Sequence, residues 1–166
     1  MMKTNVLYAA LVGIFMTLMP THSMAQGTNV AFGTIRQDSS APVEVTADNL
    51  DVNQADGTAV FTGNVVIGQG EMRLSGDKVL VVYLKDTRGI ARLEATGNVV
   101  LVSGPDAAEA QRADYDIESG VITMTGDVLL MQGQSALTSD RMTVQLDDGT
   151  ARMTGRVKTI LQTGQN

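Results

Sequence analysis

The sequence predicts an all-β fold, a twisted β-jellyroll or solenoid of repeated antiparallel strand units with an open apolar interior groove. Three observations predict this fold. One glycine motif occurs four times, a second motif follows at a constant interval, and apolar and polar residues alternate through both. Alternation with a period of two residues is typical of half-buried strands and does not fit one face of a helix.

The first repeated element is a strand with a glycine at a constant place. The four glycines are spaced by 34, 29 and 29 residues, which predicts a stack of similar units. The copies are Thr62-Gly63-Asn64-Val65, Thr96-Gly97-Asn98-Val99, Thr125-Gly126-Asp127-Val128 and Thr154-Gly155-Arg156-Val157. The glycine falls among the apolar, inward positions, where it predicts a sharp bend or a close approach to another strand.

The second repeated element is a strand with Asp or Gln near its start, and in the last three of its four copies this residue lies 14 residues after the preceding repeated glycine. The copies are Ala47-Asp48-Asn49-Leu50, Gly76-Asp77-Lys78-Val79, Ala110-Gln111-Arg112-Ala113 and Ser139-Asp140-Arg141-Met142. Because Asp48, Asp77 and Asp140 return with the repeat, we expect them to make hydrogen bonds in turns. The longest unit has five extra residues, which predict a lengthened turn from Leu84 to Gly89.

Turn signals precede three of the repeated glycines by six residues. They are Asp56-Gly57, Ser119-Gly120 and Asp148-Gly149. The jellyroll domain is predicted to span residues 41–161, after a polar, flexible segment at residues 26–40 and before a short tail at residues 162–166. Its two edge strands need caps or partners, because unpaired edges attract other strands.

Residues 1–25 have the features of a cleavable export signal. Lys3 precedes an apolar run at residues 6–19, and Ser23-Met24-Ala25 offers the small residues that signal peptidase prefers. The run is shorter than the roughly 20 residues of a membrane-spanning helix. We expect cleavage after Ala25, with an uncleaved membrane anchor as the alternative.

Composition argues against several functional classes. The chain has 12 Lys and Arg against 18 Asp and Glu, and this acidic balance argues against nucleic-acid binding, which needs clustered cations. Cysteine is absent, and the only histidine, His22, lies in the export signal. Asp114 with Asp116, or Asp147 with Asp148, could be imagined as catalytic carboxylate pairs, but nothing around them in the sequence points to acid or base catalysis. We expect no enzyme activity, no cofactor and no metal site.

Five short segments of the sequence together carry a resemblance to a known protein family. They are Pro42-Val43-Glu44-Val45, Ala47-Asp48-Asn49-Leu50, Phe61-Thr62-Gly63-Asn64-Val65, Gly76-Asp77-Lys78-Val79 and Met124-Thr125-Gly126-Asp127-Val128. With this set the sequence resembles the LptA/OstA family, periplasmic proteins that carry lipopolysaccharide between the two membranes of Gram-negative bacteria. The resemblance covers nearly the whole chain after the export signal. Related strand units also occur in the membrane-anchored component of that system and in its outer-membrane translocon, but a cleavable signal and a lone domain favour the soluble bridge protein.

The resemblance implies a periplasmic carrier that binds the lipid A part of lipopolysaccharide in an apolar groove and passes it from the inner to the outer membrane as part of a protein bridge. It also implies the partners: further copies arranged end to end, an inner-membrane anchored LptC-like protein, and the N-terminal domain of an outer-membrane LptD-like translocon. The alternative is a structural β-solenoid that forms filaments without lipid cargo.

The inward, apolar positions are the candidate lipid-binding residues. They are Val43, Val45, Leu50, Phe61, Val65, Met72, Leu74, Val79, Val81, Leu93, Val99, Tyr115, Ile117, Met124, Val128, Leu137, Met142 and Val144. Periodicity alone favours core packing for these residues, since a closed β-sandwich would bury them without a ligand. The resemblance favours lipid contact most at Val43 and Val45. On the outward face, Arg152, Arg156 and Lys158 form a basic stripe that is either solvated or meets phosphates or an acidic partner.

Overall fold

The structure is a computed structural model that describes residues 27–33, 41–85 and 89–160. Every regular element in these residues is a β-strand, which confirms the all-β prediction. The strands are β1 (Thr28–Ala31), β2 (Glu44–Thr46), β3 (Asn49–Asn53), β4 (Thr58–Gln69), β5 (Met72–Tyr83), β6 (Ile90–Ser103), β7 (Asp106–Asp116), β8 (Val121–Gln132), β9 (Ser135–Gln145), β10 (Thr150–Thr154) and β11 (Lys158–Ile160). The predicted export signal and C-terminal tail lie outside the described residues. Within those residues, no helix is long and apolar enough to cross a membrane.

The strands form one antiparallel sheet in which the strands from β3 to β10 each lie beside the next one along the chain. The order is β1-β10-β9-β8-β7-β6-β5-β4-β2, with β3 beside β4 and β11 beside β9. β2 and β3 pair with the two ends of β4, and β10 and β11 pair with the two ends of β9. Each side of the sheet therefore ends in a strand that is interrupted near its middle. This consecutive pairing confirms the predicted repeat of antiparallel units.

A row of β-bulges bends the sheet across its middle. Three long strands carry a register shift at the same point of the repeat. The shifts lie between Thr62 and Val65 in β4, between Thr96 and Val99 in β6, and between Thr125 and Val128 in β8. Because a bulge bends its strand, aligned bulges fold the sheet along one line. The two halves are termed arms here: arm 1 carries β1, β3 and β10, and arm 2 carries β2 and β11.

The hydrophobic core lies between the two arms. Buried and exposed residues alternate along the strands, as at Met72, Arg73 and Leu74 in β5. The described residues include no helix and no second sheet that could cover the buried face. Each arm therefore covers the other, and one sheet makes both layers of the domain.

The turns lie at the free ends of the arms. Arm 1 ends in four-residue turns at residues 54–57, 117–120 and 146–149, which contain the predicted turn signals, and arm 2 ends in two-residue turns at residues 70–71, 104–105 and 133–134. Residues 86–88 of the lengthened turn predicted at Leu84 to Gly89 lie outside the described residues, and the Leu84 amide on one side of them donates to the Gly89 carbonyl on the other at 2.9 Å.

Strand β1 was not predicted. It belongs to the segment at residues 26–40, which was expected to be flexible, and it pairs antiparallel with β10, so that Thr28 lies opposite Met153 and Ala31 opposite Thr150. Residues 34–40 of that segment lie outside the described residues. Four residues are too few for alternation to indicate a strand, and the partner strand lies at the other end of the chain. The pairing is decided by tertiary contact.

Candidate functional site

Each bend of the sheet is built from a glycine and a polar side chain of the neighbouring strand. Gly97 has a φ of 76° and Asn98, which follows it, a φ of 45°. A Cβ atom at Gly97 would collide with the Asp77 carboxylate, so both the backbone conformation and the lack of space require glycine. The other three bends repeat this geometry. The predicted sharp bend and close approach at the repeated glycines are confirmed.

The residue after each glycine makes a hydrogen bond with the polar side chain opposite. The four pairs are Asn64 with Asp48 at 2.8 Å, Asn98 with Asp77 at 2.9 Å, Asp127 with Gln111 at 2.8 Å, and Arg156 with Asp140 at 2.9 Å. In the third pair the roles are exchanged, because Gln111 is the donor and Asp127 the acceptor. The recurring aspartates thus link neighbouring strands, and the prediction that they make hydrogen bonds within turns is wrong.

All of the candidate lipid-binding residues lie on the inward face or at its margin, but their exposure differs. The fully buried ones are Val65, Met72, Leu74, Val79, Val81, Leu93, Val99, Tyr115, Met124, Val128, Leu137, Met142 and Val144. The half-buried ones are Val43, Val45, Phe61 and Ile117, and all four pack against the core. Leu50 is exposed. The structure therefore brings these residues into one apolar layer between the arms.

The middle of this layer is packed solid. Leu93, Leu101 and Met124 are each 0% exposed, so no space of water size adjoins their side chains. The interior was predicted as an open groove, but in the middle of the sheet the aliphatic side chains of the two arms meet. Burial of apolar surface favours that contact. A hydrocarbon chain could enter there only if the arms moved apart.

The apolar layer is open to solvent at the β3 edge. Leu50 and Val52 are 53% and 61% exposed. Among the described residues, no other large apolar residue in the middle of the sheet or at this edge is as exposed. They lie opposite Phe61 and Ala59 in the strand register, which puts their side chains on the inward side. The interior therefore continues into exposed apolar surface at this edge.

A buried polar contact joins the free ends of the two arms. The Tyr115 hydroxyl on arm 1 donates to Oε1 of Gln69 on arm 2, and Nε2 of Gln69 donates to the Ala41 carbonyl at 3.0 Å. Burial raises the pKa of Tyr115 to about 12, so the hydroxyl keeps its proton at neutral pH and remains a donor. This contact lies near the seam, the line along which the turns of the two arms face each other.

Some inward residues were not among the candidate lipid-binding residues. The large buried ones are Ile67, Leu101, Ile122, Leu130, Leu146 and Met153. Their alternation with polar neighbours predicts the inward orientation that the structure shows, although they were not named as lipid contacts. Gln69 is also an inward position by alternation, although it is polar. Phe32, 2% exposed, lies outside the repeat, and no periodic signal indicates it.

The outer face of arm 1 carries a cluster of paired charges. Arg112 contacts Glu94 at 2.7 Å and Asp114 at 2.8 Å, and Arg92 contacts Glu94 at 2.8 Å. The hydrogen bonds from Asp114 and Glu94 raise the pKa of Arg112 above its ordinary value. These charges face water and stabilise neighbouring strands only weakly.

The basic stripe is partly neutralised. Arg156 forms an ion pair with Asp140 across the last bend, and this contact lowers the pKa of Asp140. Arg152 and Lys158 are exposed on β10 and β11. Two of the three cations therefore present their charge outward.

The first of the two carboxylate pairs that could be imagined as catalytic, Asp114 with Asp116, has structural partners. Asp114 is held by Arg112. Asp116 accepts hydrogen bonds of 2.8 Å from both the amide and the hydroxyl of Ser119, and these bonds lower the pKa of Asp116. In the described part of the chain, no group of three His, Cys, Asp or Glu residues could hold a metal ion.

Comparison with known proteins identifies relatives of this chain. A family model described as LptA/(LptD N-terminal domain) LPS transport protein matches residues 44–150. An uncharacterized protein of Rhizobium meliloti (strain 1021) is 26% identical over 122 residues, which cover 69% of this chain and 62% of that protein. The chain therefore spans less than two thirds of the length of that curated relative.

A solved structure shares the fold. It is that of LptH from Pseudomonas aeruginosa, described as the LptA homologous periplasmic component of the conserved lipopolysaccharide transport device. The TM-score is 0.67 at 17% identity, and the match covers 76% of this chain and 99% of that chain. At this identity the likeness shows the jellyroll fold alone, and it confirms the predicted fold class.

Proposed function

Because the chain belongs to the LptA/(LptD N-terminal domain) LPS transport protein family, we propose that it is a periplasmic carrier that binds the lipid A acyl chains of lipopolysaccharide between its two arms. In this proposal it passes the lipid from the inner to the outer membrane as part of a protein bridge, without catalysis or a cofactor. The observation that carries the proposal is the unbroken apolar layer that reaches solvent at the β3 edge.

The first contacts with an acyl chain fall at the open edge. Leu50 is exposed there, and Val43, Val45 and Phe61 are half-buried beside it. Each methylene removed from water contributes about 0.8 kcal/mol, so an acyl chain gains affinity as it passes from this edge towards the interior. These four residues are the proposed entry site.

Deeper binding requires the arms to part. Side chains such as Leu93 and Met124 now contact apolar groups of the opposite arm, and a lipid would replace those contacts with contacts of the same chemical kind. For an acyl chain that arrives from a membrane or from another copy of the protein, the net change in free energy per methylene is therefore small, because hydrocarbon is exchanged for hydrocarbon. A carrier benefits from this balance, since it has to release its cargo as well as bind it. Methionine suits the exchange because its side chain is flexible and makes no directional bonds.

The two edges of the sheet support assembly end to end. Strands with a repeated glycine alternate with strands that carry Asp or Gln throughout the sheet. One edge, β10 with β11, carries Gly155, and the other, β2 with β3, carries Asp48. A second copy that adds its β2 and β3 beside β10 and β11 continues both the alternation and the bend. The same edges suit the similar domains of an LptC-like protein in the inner membrane and of an LptD-like translocon in the outer membrane.

The test of lipid contact is photo-crosslinking in a cell that makes lipopolysaccharide. A photoreactive phenylalanine analogue replaces Phe61 or Val43, and the matched control replaces Val66, which is 38% exposed but points outward from β4. We expect lipopolysaccharide adducts at Phe61 and Val43 and none at Val66. Absence of an adduct at every inward position would refute the carrier function.

Residues 1–25 are the proposed export signal, and the mature protein should begin at Gln26 in its mass spectrum.

The packed middle of the interior favours a second candidate, a structural solenoid that forms filaments without cargo. In that case the arms never part. Purified lipopolysaccharide would then leave the unfolding temperature unchanged, and the filaments would form equally well in its absence. A rise in unfolding temperature on addition of lipopolysaccharide favours the carrier, because a ligand that binds only the folded state stabilises it.

A further inference from the structure

We propose that residues 28–33 form a built-in cap that must leave β10 before a second copy can extend the sheet, and that its departure withdraws Phe32 from the apolar interior. The N-terminal cap, as residues 28–33 are named here, would thereby couple assembly to opening of the lipid site. The inference rests on the proposed function and adds to it the element that regulates access.

The N-terminal cap occupies half of one sheet edge. β1 pairs with β10 through four residue pairs, from Thr28 opposite Met153 to Ala31 opposite Thr150. β11, which continues this edge on arm 2, pairs only with β9 among the described residues. A strand edge accepts one neighbour, so a partner that extends both arms has to replace β1 while it adds freely to β11.

The N-terminal cap also fills the end of the interior. Val30 packs against the core, and Phe32 is 2% exposed within it. The Phe32 amide donates to the Gly149 carbonyl in the last turn of arm 1 at 2.9 Å. An aromatic ring of this chain thus takes space that is contiguous with the proposed lipid site.

The next contacts of the N-terminal cap reach the opposite arm. The Gly33 amide donates to Oδ2 of Asp106 at 2.8 Å. Nε2 of Gln132 donates to the Ala31 carbonyl at 2.6 Å and to Oδ2 of Asp106 at 3.0 Å. Asp106 and Gln132 flank the turns of arm 2, whereas Gly149 belongs to a turn of arm 1. The cap therefore ties the two arms together across the seam.

The β3 edge of a second copy has the features needed to take the place of β1. Like β1, β3 is a short strand with apolar side chains on its inward face: Leu50 and Val52 in β3, and Val30 followed by Phe32 in the cap. β3 and β10 are both five residues long. Pairing with β10 would bury Leu50 and Val52, which are more than half exposed on the free edge. The proposed occupant is accordingly the β2 and β3 edge of another copy.

Exchange at this edge has two consequences at once. A strand that displaces β1 breaks the hydrogen bonds to Gly149, Asp106 and Gln132, because all three groups bind the cap. It also removes Phe32 from the interior. Docking of a second copy thus releases the ties that the cap makes across the seam of the first copy and frees apolar surface next to it.

The test locks the N-terminal cap in place with a disulfide. Asn29 and Arg152 lie directly opposite each other and face outward, and the chain has no cysteine of its own. We expect the oxidised double variant Asn29→Cys, Arg152→Cys to lose at least tenfold in self-association by analytical ultracentrifugation. It should lose a similar factor in binding of the fluorescent probe 11-(dansylamino)undecanoic acid. Reduction should restore both.

Two further variants control the experiment. The double variant Thr123→Cys, Thr143→Cys joins directly opposite residues on the outer face of β8 and β9, and its oxidation should change neither measurement. Phe32→Ala leaves the ends of the cap intact and should raise the affinity for the probe several-fold, which keeps the proposal testable if the disulfide variant fails to fold.

An oxidised cap variant that assembles and binds the probe as well as its reduced form overturns the proposal. Loss of assembly with unchanged probe binding also overturns it, because the two events would not be coupled. Lipopolysaccharide adducts at Phe61 in the protein with an unlocked cap report on the carrier function independently, so failure of the cap and failure of the carrier are distinguishable.

Discussion

At the scale of single residues, the bends depend on two adjacent positions in the left-handed region of backbone conformation. The first is always glycine, and the second is Asn64, Asn98, Asp127 or Arg156. Asn and Asp adopt this conformation more readily than other side chains. Arg156 has no such preference, and its guanidinium forms an ion pair with Asp140 across the last bend.

The bend glycines should not tolerate a side chain. Gly97→Ala adds a Cβ that collides with Asp77 in a left-handed conformation, whereas Gly57→Ala adds one in a turn where no atom lies within 4 Å. The conformational cost is about 1–2 kcal/mol at either site, and the collision adds to it only at Gly97. Chemical denaturation should therefore show a clearly larger loss of unfolding free energy for Gly97→Ala. Equal losses would mean that the Asp77 contact does not constrain the bend.

The pair of Asp140 and Arg156 should make stability depend on pH. Arg156 lowers the pKa of Asp140 in the folded state. The pair therefore stabilises the fold above the pKa of about 3.9 that the carboxyl has in the unfolded chain. This contribution to the free energy of unfolding is lost as pH falls through the lower pKa of the folded state. The loss of stability in Asp140→Asn should be largest near neutral pH and disappear in strong acid.

A double-mutant cycle with Arg156→Gln, measured by thermal unfolding across this pH range at low salt, isolates the pair. A coupling that did not change with pH would contradict the assignment.

At the scale of elements, the two edges of the sheet differ in how far they are covered. The side at β10 is partly covered by β1, whereas the side at β3 exposes Leu50 and Val52. Natural sheets usually protect an edge strand with charge or a covering segment. An uncovered apolar edge beside a continuous core therefore marks a surface for strand addition or for lipid.

Charge at the β3 edge should prevent assembly without unfolding the domain. Full burial of a Val or Leu side chain contributes about 1.5–3 kcal/mol, and roughly half of that remains to be gained at Leu50 and Val52. Leu50→Asp with Val52→Asp should thus weaken self-association at least tenfold, since 1.4 kcal/mol corresponds to tenfold.

Sedimentation measures the effect, and Val102→Asp is the control, because Val102 is partly exposed on the outer face of β6. Unimpaired self-association of the β3 variant would show that this edge is not the interface.

At the scale of the whole molecule, one bent sheet makes both walls of the core. The described part of the chain has no helix, and the chain has no cysteine, so contact between the arms and pairing along the strands hold the fold together. Loading of the interior must then exchange contacts between the arms for contacts with a ligand. The Tyr115–Gln69 hydrogen bond and the N-terminal cap are the polar ties that this movement would break.

Truncation of a central side chain should reveal the packed interior. Leu101→Ala should cost about 2–5 kcal/mol in unfolding free energy, the range for cavities in close-packed cores, because Leu101 is 0% exposed. Leu50→Ala should cost well below that, since the Leu50 side chain is more than half exposed. Denaturant unfolding of the two variants provides the comparison. A small loss for Leu101→Ala would indicate a loosely filled channel.

Local sequence patterns are sufficient to predict which residues face inward and where the strands bend. Alternation around Leu93 and Met124 indicates one apolar face, and the repeated glycines indicate one bend in each unit, because both signals are local to a strand. The same alternation placed the candidate lipid-binding residues on the inward face, whereas their contact with lipid was implied by the family resemblance and stays a prediction.

The groups that lie opposite the inward face follow from the folded arrangement of the whole sheet. Alternation cannot reveal that the arms meet at Leu101, that Tyr115 reaches Gln69, or that Phe32 enters the core beside Gly149. These contacts join residues that are distant in sequence, and their formation depends on how far the bends close the sheet. The closure is set by the sum of apolar burial between the arms, a property of the folded chain that no single strand carries.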